Sequence, residues 1–155
     1  MSLSSKEEFV LRVLSLLHSF SFSPIQVQKL FFLLEKRIGK EAQYFKFTPY
    51  HYGPYDEELT TLLAKLERQE RITSSIIDGI KHYSINQQID IGGFLDEKKK
   101  NFILNDLVPF IKSKSFFDLC YSIYKEFPEM AKRSVLIKKP QWQYLLAFFV
   151  KTALF

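Results

Sequence analysis

Over most of this chain the apolar residues recur at the three-to-four-residue spacing of helices. The pattern breaks once at a ring-rich stretch and once where the period shortens to two. Phe9, Val13, Leu16, Leu17 and Phe20 form one stripe, widened by Val10 and Leu14, and Ser5 with Glu8 has capping-box spacing at its start. Ser23, Pro24 and Gln26 mark a second start, with Val27, Leu30, Phe31 and Leu34 as the inner face, Leu33 beside them and Gly39 as the stop. A third helix carries Leu59, Leu62, Leu63 and Leu66, capped by Asp56 or by Gly53 with Pro54 as its first residue.

Between the second and third helices, residues 44–55 hold six aromatic rings, a histidine, two prolines and a glycine. Phe45 and Phe47 alternate with Lys46 and Thr48, which reads as a short strand, and Pro49 and Pro54 keep the residues before them extended. The expectation is an extended connection whose rings brace the third helix, with tyrosine hydroxyls bonded to backbone. After that helix, residues 71–77 and 80–85 flank Asp78-Gly79, a two-residue hairpin signal. Pairing Ile77 with Ile80 places Ile72, Ile76, Tyr83 and Ile85 on one face, suited to lie against helices. Helix, helix, strand, helix, hairpin is the order of a winged helix whose first strand is displaced toward the third helix.

Residues 86–93 read as a loop separating two lobes, 1–87 and 88–155, of one domain. Asp96 to Val108 is predicted helical, with Pro109 ending or bending it. Ser115 and Asp118 frame a further start, followed by Phe116, Leu119, Cys120, Ile123 and Phe127; Pro128 to Ala131 adds one turn. A last helix is predicted over residues 141–153. The fold class is therefore mainly α with a small β-hairpin: a winged-helix-like N-terminal half followed by C-terminal helices.

Composition changes this picture little. The 155 residues are 46% hydrophobic and 25% charged, ordinary for a globular chain, although sixteen Phe and eight Tyr make the core ring-rich. A net charge of +5 permits an acidic partner without demanding one. One cysteine excludes an internal disulfide, and no secretory signal or membrane-length apolar run is visible, so the expected location is cytoplasmic.

Three stretches, in this order, resemble a known family. They are Ser-Pro-x-x-x-Gln-Lys-Leu-x-Phe-Leu at residues 23–33, Phe-x-Phe-x-Pro-Tyr-x-Tyr-Gly-Pro-Tyr at 45–55, and Tyr121-Ser122-Ile123-Tyr124-Lys125-Glu126-Phe127-Pro128-Glu129 followed by Ser134, which looks like the family's Val-Tyr-x-x-Tyr-Pro-Glu box. Together, over roughly residues 6 to 135, they resemble the YwgA-like proteins and, more distantly, the Panacea (SocA-like) antitoxin domain. That resemblance implies a mostly helical, non-enzymatic protein that binds a toxin or similar protein directly, and it transfers no catalytic residue. The hairpin ending Tyr83-Ser84-Ile85-Asn86 departs from the family's Tyr-x-Leu-Thr.

Tyr50, His51, Tyr52 and Tyr55 are the candidate partner-binding residues. Histidine titrates near neutral pH, yet the stretch has no assignable nucleophile, carboxylate pair or phosphate loop beside it. His18, His51 and His82 sit on separate elements without metal-ligand spacing, so neither metal nor other cofactor is expected. The alternative function is a winged-helix transcriptional regulator or nucleic-acid accessory factor contacting its target through Lys81, His82, Lys98, Lys99 and Lys100. Against it, the stretch from Asp56 through Arg71 has five acids and three bases, where a recognition helix would meet phosphate. Leu145, Phe148 and Phe149 lie on a helix apolar nearly all round, a candidate for self-association.

Overall fold

The computed structural model describes residues 2–137, apart from 87, 88 and 91. In chain order the elements are α1 (Ser5–Leu16), α2 (Pro24–Ile38), β1 (Thr48–Tyr50), β2 (Gly53–Tyr55), α3 (Glu57–Arg68), β3 (Thr73–Ile77), β4 (Ile80–Ser84), α4 (Glu97–Phe102), α5 (Val108–Lys112) and α6 (Phe116–Glu126). The protein is mainly helical with two small antiparallel hairpins, β1–β2 and β3–β4. The described residues form two compact units, one within 1–46 and 56–111, the other of 47–55 and 112–137. The β1–β2 hairpin belongs to the second unit. The helix predicted over 141–153, with Leu145, Phe148 and Phe149, lies outside the described residues.

In the first unit α2 is buried all round: every residue from Val27 to Leu34 is buried, Gln28 and Lys29 included. Its start matches the sequence closely. Ser23 Oγ accepts from Gln26 N at 3.2 Å and Gln26 Oε1 accepts from Ser23 N at 3.0 Å, a complete capping box. The helix ends at Gly39, whose φ of 88° and ψ of −140° suit glycine alone. The box on α1 sits one residue earlier than its spacing suggested: Ser4 is the cap and Glu7 its partner. Rings fill the interior, with Phe9 stacked on Tyr44 at 4.4 Å and set edge-on to Phe31 at 5.6 Å.

The strand expected at Phe45–Phe47 is not formed there. Pairing begins at Thr48, whose partner is Tyr55, and closes at Tyr50 opposite Gly53. Both prolines sit opposite each other in the ladder, on a two-stranded edge that requires no N–H from either. The β3–β4 register is the predicted one, Ile77 opposite Ile80, turned by Asp78 and Gly79 with φ of 50° and 77°. Only the base of its apolar face is covered, however: Ile72, Tyr83 and Ile85 are buried, whereas Ile76 is 69% exposed. Tyr83 also exchanges backbone hydrogen bonds with Phe22, at 2.8 and 2.9 Å. Pro109 does not end its helix. A π-helical turn, Ile103–Leu107, precedes it, and α5 continues to Lys112; the proline falls where the regular i→i−4 ladder is already interrupted.

The second unit packs around Cys120, Tyr124, Ala131 and Ile137, flanked by Phe116 and Leu136. Ser115 caps α6 through Asp118 N, as its spacing predicted, and a short 3₁₀ turn at Pro128–Ala131 follows.

Candidate functional site

The β1–β2 turn presents Tyr50, His51 and Tyr52 outward. The reversal from Tyr50 to Gly53 leaves only two residues between the strand ends, and Gly53 carries a φ of 94°. The Tyr50 ring stacks with two others, His51 at 4.2 Å and 10° and Tyr55 at 5.0 Å and 27°. The Arg133 guanidinium lies over the Tyr50 ring, 5.4 Å from its centroid. Tyr52 meets the Phe116 ring edge-on at 5.1 Å.

Backbone contacts fix this turn within the second unit. His51 O accepts from Val135 N at 2.9 Å, and the Cys120 thiol points at Tyr52 O, 3.6 Å away. Inside, the Tyr124 hydroxyl donates to Ser134 Oγ at 2.8 Å, and burial pushes its pKa up to about 12. Tyr124 and Ser134, both within the third quoted stretch, are thus a packing link.

The hydroxyls of Tyr50, Tyr52 and Tyr55 make no hydrogen bond among the described residues, so the expected backbone anchoring by those groups is not what holds the rings. Nor do they supply the start of α3. That role belongs to Asp56 and Gln28. Asp56 Oδ1 accepts from Leu59 N at 3.1 Å, and Oδ2 accepts from Lys46 N at 2.7 Å. The buried Gln28 amide accepts from Asp56 N at 2.9 Å and donates to Asp56 O at 2.9 Å. Two carbonyl–amide bonds to one backbone unit hold α3 on α2 as a short ladder would. The sequence signal for this was a glutamine inside an otherwise apolar helical run.

Residues that periodicity passed over complete the outward face. On α6 the buried stripe is Leu119, Cys120, Ile123 and Tyr124. Phe117 and Tyr121, four apart on the other side, are 55% and 42% exposed. An aromatic residue just off the buried period was the available clue. With Tyr50, Tyr52 and Val135 they make the large exposed apolar side chains of the second unit among the described residues.

The alternative nucleic-acid residues are dispersed and mostly engaged. Lys81 pairs with Glu67 at 2.6 Å, Lys99 with Glu41 at 2.7 Å, and Lys100 with Glu97 at 3.0 Å. His82 Nδ1 lies 3.0 Å from Ile80 O, and Lys98 sits exposed in the first turn of α4. Glu57 and Glu58 are exposed at the start of α3. A cavity of about 170 Å³ in the first unit is lined by Leu33, Arg37, Phe102, Asp106, Leu107 and Phe110, large enough for a single ring. No cluster of three or more His, Cys, Asp or Glu suited to a metal occurs among the described residues, and none of their helices is long and apolar enough to cross a membrane. No family model, curated protein or solved structure matches the chain.

Proposed function

We propose that this is a non-enzymatic protein-binding module that grips its partner with the ring face of the second unit. The partner, following the resemblance to YwgA-like and Panacea proteins, is a toxin or another cytoplasmic protein that is neutralised or adapted by direct contact. The observation that carries this reading is that the second unit exposes Tyr50, Tyr52, Phe117 and Tyr121, with Tyr52 linked to Phe117 through the Phe116 ring and Arg133 lying over Tyr50. Several exposed aromatic side chains on one small unit call for a partner, and aromatic residues with arginine are the side chains from which binding hot spots are built. Stacking of His51 and Tyr55 on Tyr50 holds those rings in position, which reduces the ordering cost on association.

For the first unit the finer arrangement we propose is a winged helix, with Phe22 as its first strand residue and β3–β4 as the wing. The two-way backbone pairing of Phe22 with Tyr83 supports it. In this reading the wing is structural, because Lys81 is held by Glu67 and α3 starts with exposed acids.

The test is a photo-crosslinking amino acid placed at position 117, with position 76 as the control. Irradiation in cells is expected to give one discrete adduct from position 117, absent from position 76 and lost when Tyr52→Ser is added. Equal adducts from both positions would refute the assignment of the binding face.

A further inference from the structure

We infer that the partner on the ring face presents an acidic surface, a segment rich in Asp and Glu; this rests on the protein-binding reading above. The charge of the chain is unevenly divided. In the first unit fourteen Lys and Arg balance fourteen Asp and Glu, so the whole net charge of +5 arises from residue 112 onward, where eight bases stand against three acids. Balance in the first unit is also local. Lys6 pairs with Glu58, Arg12 with Glu8, and Lys65 with Glu7, beside the three lysine pairs already described.

Around the rings the situation differs. Lys125, Lys132 and Arg133 are exposed and take part in no ion pair among the described residues. Lys125 follows Tyr121 by four residues, extending the outward Phe117–Tyr121 stripe of α6. Arg133 covers Tyr50, and Lys132 precedes it. Apolar anchors flanked by unneutralised bases complement a partner with apolar residues set among carboxylates, and like charge excludes basic surfaces. Asp118, Glu126 and Glu129 on the same unit set limits on where those carboxylates can fall.

Basic residues with rings also suit single-stranded nucleic acid, which binds by stacking bases on open ring faces. Here the Tyr50 ring already stacks with His51 at 4.2 Å and with Tyr55 at 5.0 Å and carries the Arg133 guanidinium, so it is engaged within the chain rather than held open for a base. Phe117 and Tyr121 are exposed rings four residues apart on α6. These features favour a protein.

The probe is a fluorescein-labelled fifteen-residue peptide of Asp and Glu containing two Leu and one Phe, read by anisotropy against the full chain. Its Lys/Arg counterpart and a fifteen-nucleotide oligo-dT run alongside. The acidic peptide is expected to bind and the basic one not to. Raising salt from about 50 to 200 mM should weaken binding several-fold, because exposed charges are screened over that range. Lys125→Glu with Arg133→Glu should weaken it at least about tenfold, the size expected of an interfacial charge pair. Unfolding midpoints verify that these surface variants stay folded. If Phe117→Ala abolishes binding and the charge reversals leave it intact, the acidic-partner inference fails while the ring face stands. If neither change matters, both fail. Tighter binding of oligo-dT than of the acidic peptide, or no binding of that peptide, overturns the inference.

Discussion

Replacing Gln28 by leucine isolates the polar link between α2 and α3. Leucine has nearly the same volume, so no cavity opens, and the loss is confined to hydrogen bonds. Asp56 N–H, buried, loses its acceptor at 2.9 Å. Asp56 C=O loses the donor at 2.9 Å and keeps only Thr60 N at 3.5 Å. Thr60 is exposed, so its hydroxyl, which also accepts from Gln28, returns to water. An orphaned buried donor costs about 1–3 kcal/mol and an under-satisfied carbonyl about 1 kcal/mol, partly offset by the apolar replacement, for a net loss of about 2–3 kcal/mol. For a chain of this size that lowers Tm by roughly 5–10 °C. Urea unfolding followed by far-UV circular dichroism measures it, with an unchanged m-value showing that the compactness of the two states is retained. Thr60→Ala, which removes only the bond from Gln28 to an exposed residue, should cost below about 0.5 kcal/mol. If Gln28→Leu were as mild as Thr60→Ala, the ladder-like role given to Gln28 would be wrong.

Other expectations concern pH, backbone and thiol. Hydrogen bonding to Lys65 and to Ser4 N holds the Glu7 carboxyl at about 2, below the ordinary 4.5. A depressed carboxylate stabilises the fold fully above its unfolded value, so this contribution should disappear as pH falls from 4.5 through 2. Urea midpoints measured across that window should fall less steeply in Glu7→Gln. Gly39→Ala meets no atom within 4 Å, yet its backbone requires φ of 88°; a loss of about 1–3 kcal/mol is expected from conformation alone, read as a shifted unfolding midpoint. Cys120 is fully buried, so a thiol reagent should leave it unmodified in the native protein and label it stoichiometrically in urea.

Most of the fold was legible because its signals are local. The Ser23-Pro24-Gln26 start, the Asp78-Gly79 turn with its register and the Ser115 cap each depend on residues within four positions of one another. What escaped depends on distant partners. Phe45 and Phe47 alternate like a strand, but hairpin pairing begins at Thr48 because Tyr50 and Gly53 close the turn. Ile76 matched the apolar face of its strand, yet only the base of the hairpin finds other side chains to cover it. The burial of Gln28 and Lys29 reflects packing of α2 by elements distant in the chain, β4 and the π-helical turn among them, which no single-helix pattern contains. Of the candidate site, Tyr50, His51 and Tyr52 stood out by ring density. Phe117 and Tyr121 did not, because an outward aromatic carries the same letter as an inward one.

The most direct test measures, by isothermal titration calorimetry, the affinity of the protein crosslinked at position 117 for the wild-type chain and for Tyr52→Ala and Phe117→Ala. Each truncation should weaken binding by roughly ten- to a hundredfold while leaving the unfolding midpoint nearly unchanged, as removal of a hot-spot ring does. Affinities equal to wild type in both variants would contradict a partner seated on the rings.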